Sequence, residues 1–254
     1  MGQVEAYLDE LCRRAQTAVV TVGVYVGGSY ALGAYAPGHS DLDVTAVTRG
    51  PLTRGEKGEL VDLLRHDALP CPARRLELVV YSATEAASTG IAPAFQLNLN
   101  TGARGAFRVD FEPGEVEGFW FPIDRAVLRE HAIALSGPPP RAVFGAIPRR
   151  RLLGVIAEAL RWHLVGDAST ADAVLNACRA LRFAVSDEWV SKTAAGWWAL
   201  DYVADLEVVR AALEARVGAK PPDRAKTHAF TASVLEEIEL LGALRGGPLP
   251  SAHV

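Results

Sequence analysis

The chain has 254 residues, half of them hydrophobic and 22% charged, with 26 Lys and Arg against 30 Asp and Glu for a formal net charge of −4. Such a composition supports a buried core in one large domain or two modest ones and excludes the disordered and low-complexity classes. With no apolar run near the ~20 residues of a membrane span, no basic leader at the start, and three scattered cysteines (Cys12, Cys71, Cys178) that form neither a disulfide framework nor a zinc site, a cytoplasmic protein that does not coat nucleic acid is expected.

In chain order, Val4, Tyr7, Leu8, Leu11 and Cys12 recur at helical spacing, so residues 2–16 read as a helix. Residues 19–26 are rich in Val and Thr and read as a buried strand, broken by Gly27-Gly28-Ser29. Residues 41–48 read as a second strand, and Thr53 with Glu56 has capping-box spacing for a helix through about Leu69. Residues 76–82 read as a third strand. Residues 89–121 are rich in Gly, Pro and Asn, with short strand-like pieces near Phe107. Pro122 suits the first turn of a helix running to about Leu135, and Ser136-Gly137-Pro138-Pro139-Pro140 reads as a linker or a sharp crossing.

Beyond the linker no strand is evident. Pro148 starts a helix to about Val165, Thr170 caps one to about Val185, Asp187 caps a third, and two more follow before a frayed end. The expected organisation is α+β over residues 1–140 and all-helical over residues 141–254. Charge is unevenly shared: residues 1–147 hold 13 basic and 17 acidic side chains, residues 148–254 hold 13 of each.

The chemistry is carried by Gly27-Gly28-Ser29 and Asp41-Leu42-Asp43. On a strand, residues two apart leave the same face, so Asp41 and Asp43 would lie about 7 Å apart along it and repel unless solvated or sharing a cation. Such hard oxygen ligands suit Mg²⁺ completed by phosphate oxygens. A Gly-Gly-Ser turn after a buried strand lets backbone and hydroxyl approach a phosphate. Glu77 interrupts the apolar strand Leu76-Glu77-Leu78-Val79-Val80, where an unpartnered carboxylate is costly. It either takes a proton from an attacking hydroxyl or forms an ion pair with Arg74, Arg75 or another base. Read as bland features instead, the aspartates mark a strand edge and the glycines a plain turn.

Gly28-Ser29, 11 intervening residues to Asp41-x-Asp43, and a lone strand carboxylate resemble the nucleotidyltransferase superfamily, and more narrowly the streptomycin/spectinomycin adenylyltransferases among the aminoglycoside nucleotidyltransferases. The likeness extends to Arg129-Glu130-His131-Ala132-Ile133-Ala134-Leu135-Ser136-Gly137-Pro138, to Asn176-Ala177-Cys178-Arg179-Ala180-Leu181-Arg182-Phe183 and to Ser191-Lys192-Thr193-Ala194-Ala195-Gly196-Trp197. It implies an N-terminal nucleotidyltransferase domain with a mixed β-sheet and flanking helices, followed by a helical domain. It further implies ATP and Mg²⁺ as cofactors, with Asp41 and Asp43 on the metal, Gly28 and Ser29 on the phosphates, Glu77 as general base, and Arg179 and Lys192 on the triphosphate. The acceptor is implied to be a small cationic molecule, met by Trp162 and by Asp167 and Asp172 in or beside a shortened loop; a monomer is expected.

The sequence departs from the family in two places. No Trp stands within Phe95-Gln96-Leu97-Asn98-Leu99-Asn100, and no aromatic within residues 210–217. Adenylylation of an aminoglycoside hydroxyl, with release of pyrophosphate, is therefore the leading expectation. The same transfer to another natural product or a protein hydroxyl stays open, as does a non-catalytic nucleotide-binding regulator.

Overall fold

The computed structural model describes residues 2–104, 106–114, 117–166 and 170–243. The chain divides into two units, Met1–Ile147 and Pro148–Val254. In the first unit the elements are α1 (Gln3–Ala18), β1 (Thr21–Val26), α2 (Gly28–Ala31), β2 (Leu42–Thr48), α3 (Arg54–Leu64), β3 (Leu76–Ser82), α4 (Ala83–Ala86), β4 (Leu97–Thr101), β5 (Arg108–Asp110), α5 (Trp120–His131), β6 (Ile133–Ser136) and α6 (Pro140–Val143). They build a six-stranded sheet in the order β5-β4-β3-β2-β1-β6. It is mixed: β2 and β3 run parallel, and the other neighbours are antiparallel.

Strand alternation assigns the two faces. Val24, Val26, Leu42, Val44, Ala46, Leu76, Leu78, Val80, Leu97 and Leu99 are buried in one core with Leu8, Leu11 and Ala15 of α1 and Leu60 and Leu64 of α3. On the other face Tyr25, Val47 and Tyr81 pack with Phe95, Phe121, Leu128 and Phe144, the Tyr25 and Phe144 rings meeting edge-on at 5.2 Å. Where β2 and β3 begin, the same alternation puts Asp43 and Glu77 on this second face in place of apolar side chains.

Three local expectations are revised by long-range contacts. The helix opened by the Thr53–Glu56 capping box stops at Leu64, not Leu69: Arg65 turns extended, and Arg14 Nη1 donates to the carbonyls of Leu63 (3.0 Å) and Ala68 (2.9 Å). The helix from Trp120 stops at His131, because Ile133–Ser136 forms a strand against the second edge of β1, with Tyr25 opposite Ala134. Of the two readings of residues 136–140, the structure shows the sharp, packed crossing and not the free linker. Gly137 adopts φ +90 against the Val22 carbonyl, and the Tyr25 hydroxyl donates to the Pro138 carbonyl at 3.0 Å.

The second unit, among its described residues, contains only helices: α7 (Arg149–Val165), α8 (Thr170–Ser186), α9 (Lys192–Ala199), α10 (Leu206–Ala215) and α11 (Arg224–Ala243). The apolar positions of α8, from Ala173 through Ala184, are buried against the other four helices. The third cap expectation is also revised. Asp187 lies in the left-handed region (φ +58) and binds Arg149 at 2.5 Å, while Ser191 Oγ caps α9 by accepting from the Ala194 amide at 3.1 Å. No described helix is long and apolar enough to cross a membrane. The expected frayed end, past Ala243, lies outside the described residues.

Candidate active site

The turn after β1 is shaped around one carboxylate. The Gly27 amide donates to the Asp43 carbonyl at 2.8 Å. Gly28 follows with φ +52, and a Cβ there would overlap the Asp43 Oδ2 atom and its carboxyl carbon. Glycine is required twice, once for the left-handed backbone and once for the close approach. Ser29 sits in the first turn of α2, next to this cradle.

Register extends the site across the sheet. Asp43 pairs with Glu77 between β2 and β3, Glu77 with Asn100 on β4, and Asn100 with Arg108 on β5. Directly paired residues present their side chains to the same face, so these polar groups form one row. Beside the row, Asn98 Nδ2 donates to Asp110 Oδ2 at 2.8 Å, and Arg108 Nε donates to Asp110 Oδ1 at 3.0 Å.

Asp41 precedes β2 and is held by two arginines. Arg74 grips it bidentately, Nε to Oδ1 at 2.7 Å and Nη2 to Oδ2 at 2.5 Å. Arg75 Nε donates to Asp41 Oδ2 at 3.2 Å, and its Nη2 forms an ion pair with Glu77 Oε1. One guanidinium thus spans a carboxylate expected on the metal and the carboxylate expected as base. Glu77 has the ion-pair partner that its place in an apolar strand demanded.

The two carboxyls are shifted in opposite directions. Burial and the neighbouring Asp43 charge push Glu77 well above the ordinary glutamate range, against the pull of Arg75. Burial pushes Asp41 up too, but the Arg74 hydrogen bond and the charges of Arg75 and Arg74 outweigh it and hold Asp41 low. Asp124, exposed on α5, adds to the field raising Glu77. Nothing in the sequence singled out Asp124: one acid on an amphipathic helix reads as a solvated face. Its position four residues before Leu128, the side chain that a Cβ on Gly27 would strike, places it on the helix face toward the turn.

A divalent cation fits this donor set. Asp41 and Asp43 offer hard oxygens, and the missing Cβ of Gly28 lets the Asp43 carboxylate lie directly against the turn. Among the described residues, no group of three or more His, Cys, Asp or Glu side chains is already drawn together at metal-holding distance.

The second unit gathers its own polar cluster. Asp172, Asn176 and Arg179 lie at i, i+4 and i+7 of α8, on one face. Lys192, the first residue of α9, binds Asp172 through Nζ to Oδ1 at 2.7 Å. Asn176 Nδ2 lies 3.1 Å from His163 Nε2, and the His163 ring stands edge-on to Trp162 at 5.0 Å. Burial, helped by the Lys192 charge, pushes His163 down to about 4. Trp162 and Asp172, expected on the acceptor, and Lys192, expected on the triphosphate, therefore belong to one cluster organised by His163. Spacing alone could have flagged His163, which neighbours Trp162, but not its partner on the next helix. Asp167 lies outside the described residues.

Residues 4–86 match the nucleotidyltransferase domain family, and residues 142–237 match the family described as aminoglycoside adenylyltransferase, C-terminal domain. The chain belongs to the aminoglycoside nucleotidyltransferases. The mixed sheet with its Gly-Gly-Ser turn, followed by helices, is the fold of this family, and the chain is a nucleotidyltransferase enzyme. A solved structure with the same fold is the spectinomycin adenyltransferase AAD(9) from Enterococcus faecialis with ATP and spectinomycin. It matches with a TM-score of 0.70 over 93% of this chain and 100% of that one, at 13% sequence identity. No curated protein matches the sequence. The nucleotidyltransferase match covers the turn, Asp41, Asp43 and Glu77, and the C-terminal match covers Trp162, Asp172, Arg179 and Lys192.

Proposed function

We propose that this nucleotidyltransferase adenylylates a hydroxyl of an aminoglycoside-type antibiotic with ATP and Mg²⁺, releasing pyrophosphate. The observation that carries the reading is the in-register pair Asp43–Glu77 beside the Gly28 turn: a metal-type carboxylate and a raised-pKa carboxylate side by side at a glycine turn after a buried strand. The AAD(9) structure, described with ATP and spectinomycin, supports the nucleotide and the class of acceptor.

Each residue then has a task. Asp41 and Asp43 hold Mg²⁺, whose charge offsets that developing on the α-phosphate and the departing pyrophosphate. The Gly27 and Gly28 backbone and the Ser29 hydroxyl position the phosphates. Glu77, raised toward neutrality, removes the proton of the acceptor hydroxyl as its oxygen attacks phosphorus. Arg179 and Lys192 add positive charge for a triphosphate carrying about four negative charges, which the acidic first unit does not neutralise alone. Trp162, Asp172 and Asp167 meet a cationic acceptor.

A second reading keeps the transfer and changes the acceptor. It is favoured by Asn98 and Asn100 on β4, in the stretch where the family carries a Trp. Pyrophosphate release is the test: wild-type enzyme with ATP and Mg²⁺ is assayed against a panel of aminoglycosides. Release with at least one supports the leading reading, and release with none turns it to the second. In the same assay Glu77→Gln is expected to keep ATP binding and lose on the order of 10²-fold or more in turnover. Near-normal turnover would remove Glu77 as base. Asp41→Asn is expected to abolish Mg²⁺-dependent ATP binding.

A further inference from the structure

Three carboxylates, Asp41, Asp43 and Glu77, stand at the start of β2 and β3, and two arginines offset their charge. Arg74 and Arg75 immediately precede Leu76, the first residue of β3, and both reach Asp41. Arg75 also reaches Glu77, because residues two apart on an extended chain share a face. Its backbone is fixed: a Cβ on Gly102 would lie 2.6 Å from both the Cα and the Cβ of Arg75, so the end of β4 closes directly over it. Its guanidinium is less confined, a third of the side chain remaining exposed, and Arg74 is about half exposed at 47%. The arginine ends reach water although the Asp41 side chain is only 14% exposed, and such partly exposed pairs can exchange their cation. The Asp41 and Glu77 carboxyls also hydrogen-bond to each other, so Arg75 bridges two groups that already meet.

We infer that Arg75 is an internal counter-ion latch: its guanidinium occupies Asp41 and Glu77 together, and a divalent cation takes the shared Asp41 Oδ2 by displacing Arg75 along with Arg74. The inference rests on the proposed role of Asp41 as a metal ligand. After displacement Arg75 keeps its contact with Glu77 Oε1 and so holds the base in place. Arg75 is thus a positioning residue with two opposed effects: it weakens metal binding and it orders the base. A residue that merely supported the fold would move both in the same direction.

Mn²⁺ alone, titrated into the full chain and followed by electron paramagnetic resonance, tests the latch without turnover. Arg75→Met is expected to bind Mn²⁺ about fivefold tighter, the ratio equivalent to about 1 kcal/mol for an accessible ion pair. Its kcat for pyrophosphate release is expected to fall while KM for ATP changes little. Arg75→Lys, which keeps the charge but not the fork, is expected to retain most of the wild-type Mn²⁺ affinity and covers the case in which the Met variant melts early. Arg13→Met removes a cation of the same unit that pairs with Glu10 on α1, and is expected to leave Mn²⁺ affinity unchanged. Unchanged or weaker Mn²⁺ binding in Arg75→Met, or equal tightening in Arg13→Met, overturns the latch. Asp41→Asn separates the two ideas. Loss of Mn²⁺ binding there with no gain in Arg75→Met removes the latch and leaves Asp41 a ligand. Unchanged binding in Asp41→Asn removes both.

Discussion

Replacing Gly28 by alanine tests whether the turn after β1 is shaped by the Asp43 carboxylate. The variant meets two separate costs. At φ +52 the backbone is left-handed, which costs an L-residue about 1–2 kcal/mol. The new Cβ overlaps Asp43 Oδ2, so the carboxylate must leave its rotamer at about 0.5–1.5 kcal/mol or the loop must shift. The sum is about 1.5–3.5 kcal/mol, equivalent to a fall in melting temperature of about 3–14 °C for a unit of this size. Gly38→Ala isolates the first cost, because Gly38 also has positive φ (+76) and a Cβ there would meet nothing within 4 Å. It should lose only about 1–2 kcal/mol. The functional difference should be larger than the thermal one. A displacement of about 1 Å at a reacting group costs on the order of 10²-fold in rate, so Gly28→Ala should lose that much pyrophosphate release while Gly38→Ala stays within a few-fold of wild type. Circular dichroism melts and the release assay read both. Equal thermal losses in the two variants, or near-normal turnover in Gly28→Ala, would refute the coupling between turn and carboxylate.

Other expectations follow from buried or paired groups. Arg125 is 1% exposed and donates to the carbonyls of Glu85, Ser88 and Gly90, so Arg125→Met should cost about 3–5 kcal/mol in urea denaturation by stranding them; a loss under about 1 kcal/mol would contradict this. His163 has a folded pKa of about 4 against an ordinary 6.5, so the unfolded chain binds more protons between those values and stability must fall as pH drops through that window. In His163→Asn, melting temperatures between pH 6.5 and 4 should depend less steeply on pH than in wild type; an unchanged slope would reject the buried neutral imidazole. Ser191→Ala should cost about 1 kcal/mol through loss of the α9 cap. Because Lys192 opens that helix, ATP binding should weaken with it, as read by titration calorimetry.

The site was legible where the chemistry is written in consecutive residues. Gly27-Gly28-Ser29 directly after an apolar strand, Asp-x-Asp at the start of the next, and Glu77 inside a third are local patterns, and a pattern of period two is sufficient to say which face each side chain takes. What those residues touch was less accessible. That Asp43 and Glu77 are neighbours depends on a parallel pairing of two strands separated by a helix. That Asp41 turns to Arg74 and Arg75 depends on where the chain enters both strands. Asp124 and His163 were passed over for the same reason: each looks ordinary until an element from elsewhere in the chain is set against it.

The sequence by itself determined the helix and strand periods, the Thr53–Glu56 capping box, the place of the phosphate-type turn and the set of carboxylates, because these follow from neighbouring side chains and backbone preferences. The tertiary structure alone decided that Ile133–Ser136 is a strand and that the first unit runs to Ile147. Residues 120–135 carry a helical pattern almost throughout, but β1 is paired by β2 on only one side, and its remaining backbone donors and acceptors need partners. Ile133–Ser136 supplies them, Gly137 turns the chain away over Val22, and Phe144 stays buried against Tyr25. An unpaired strand edge outweighs a local helical preference, and only the assembled sheet has such an edge to fill.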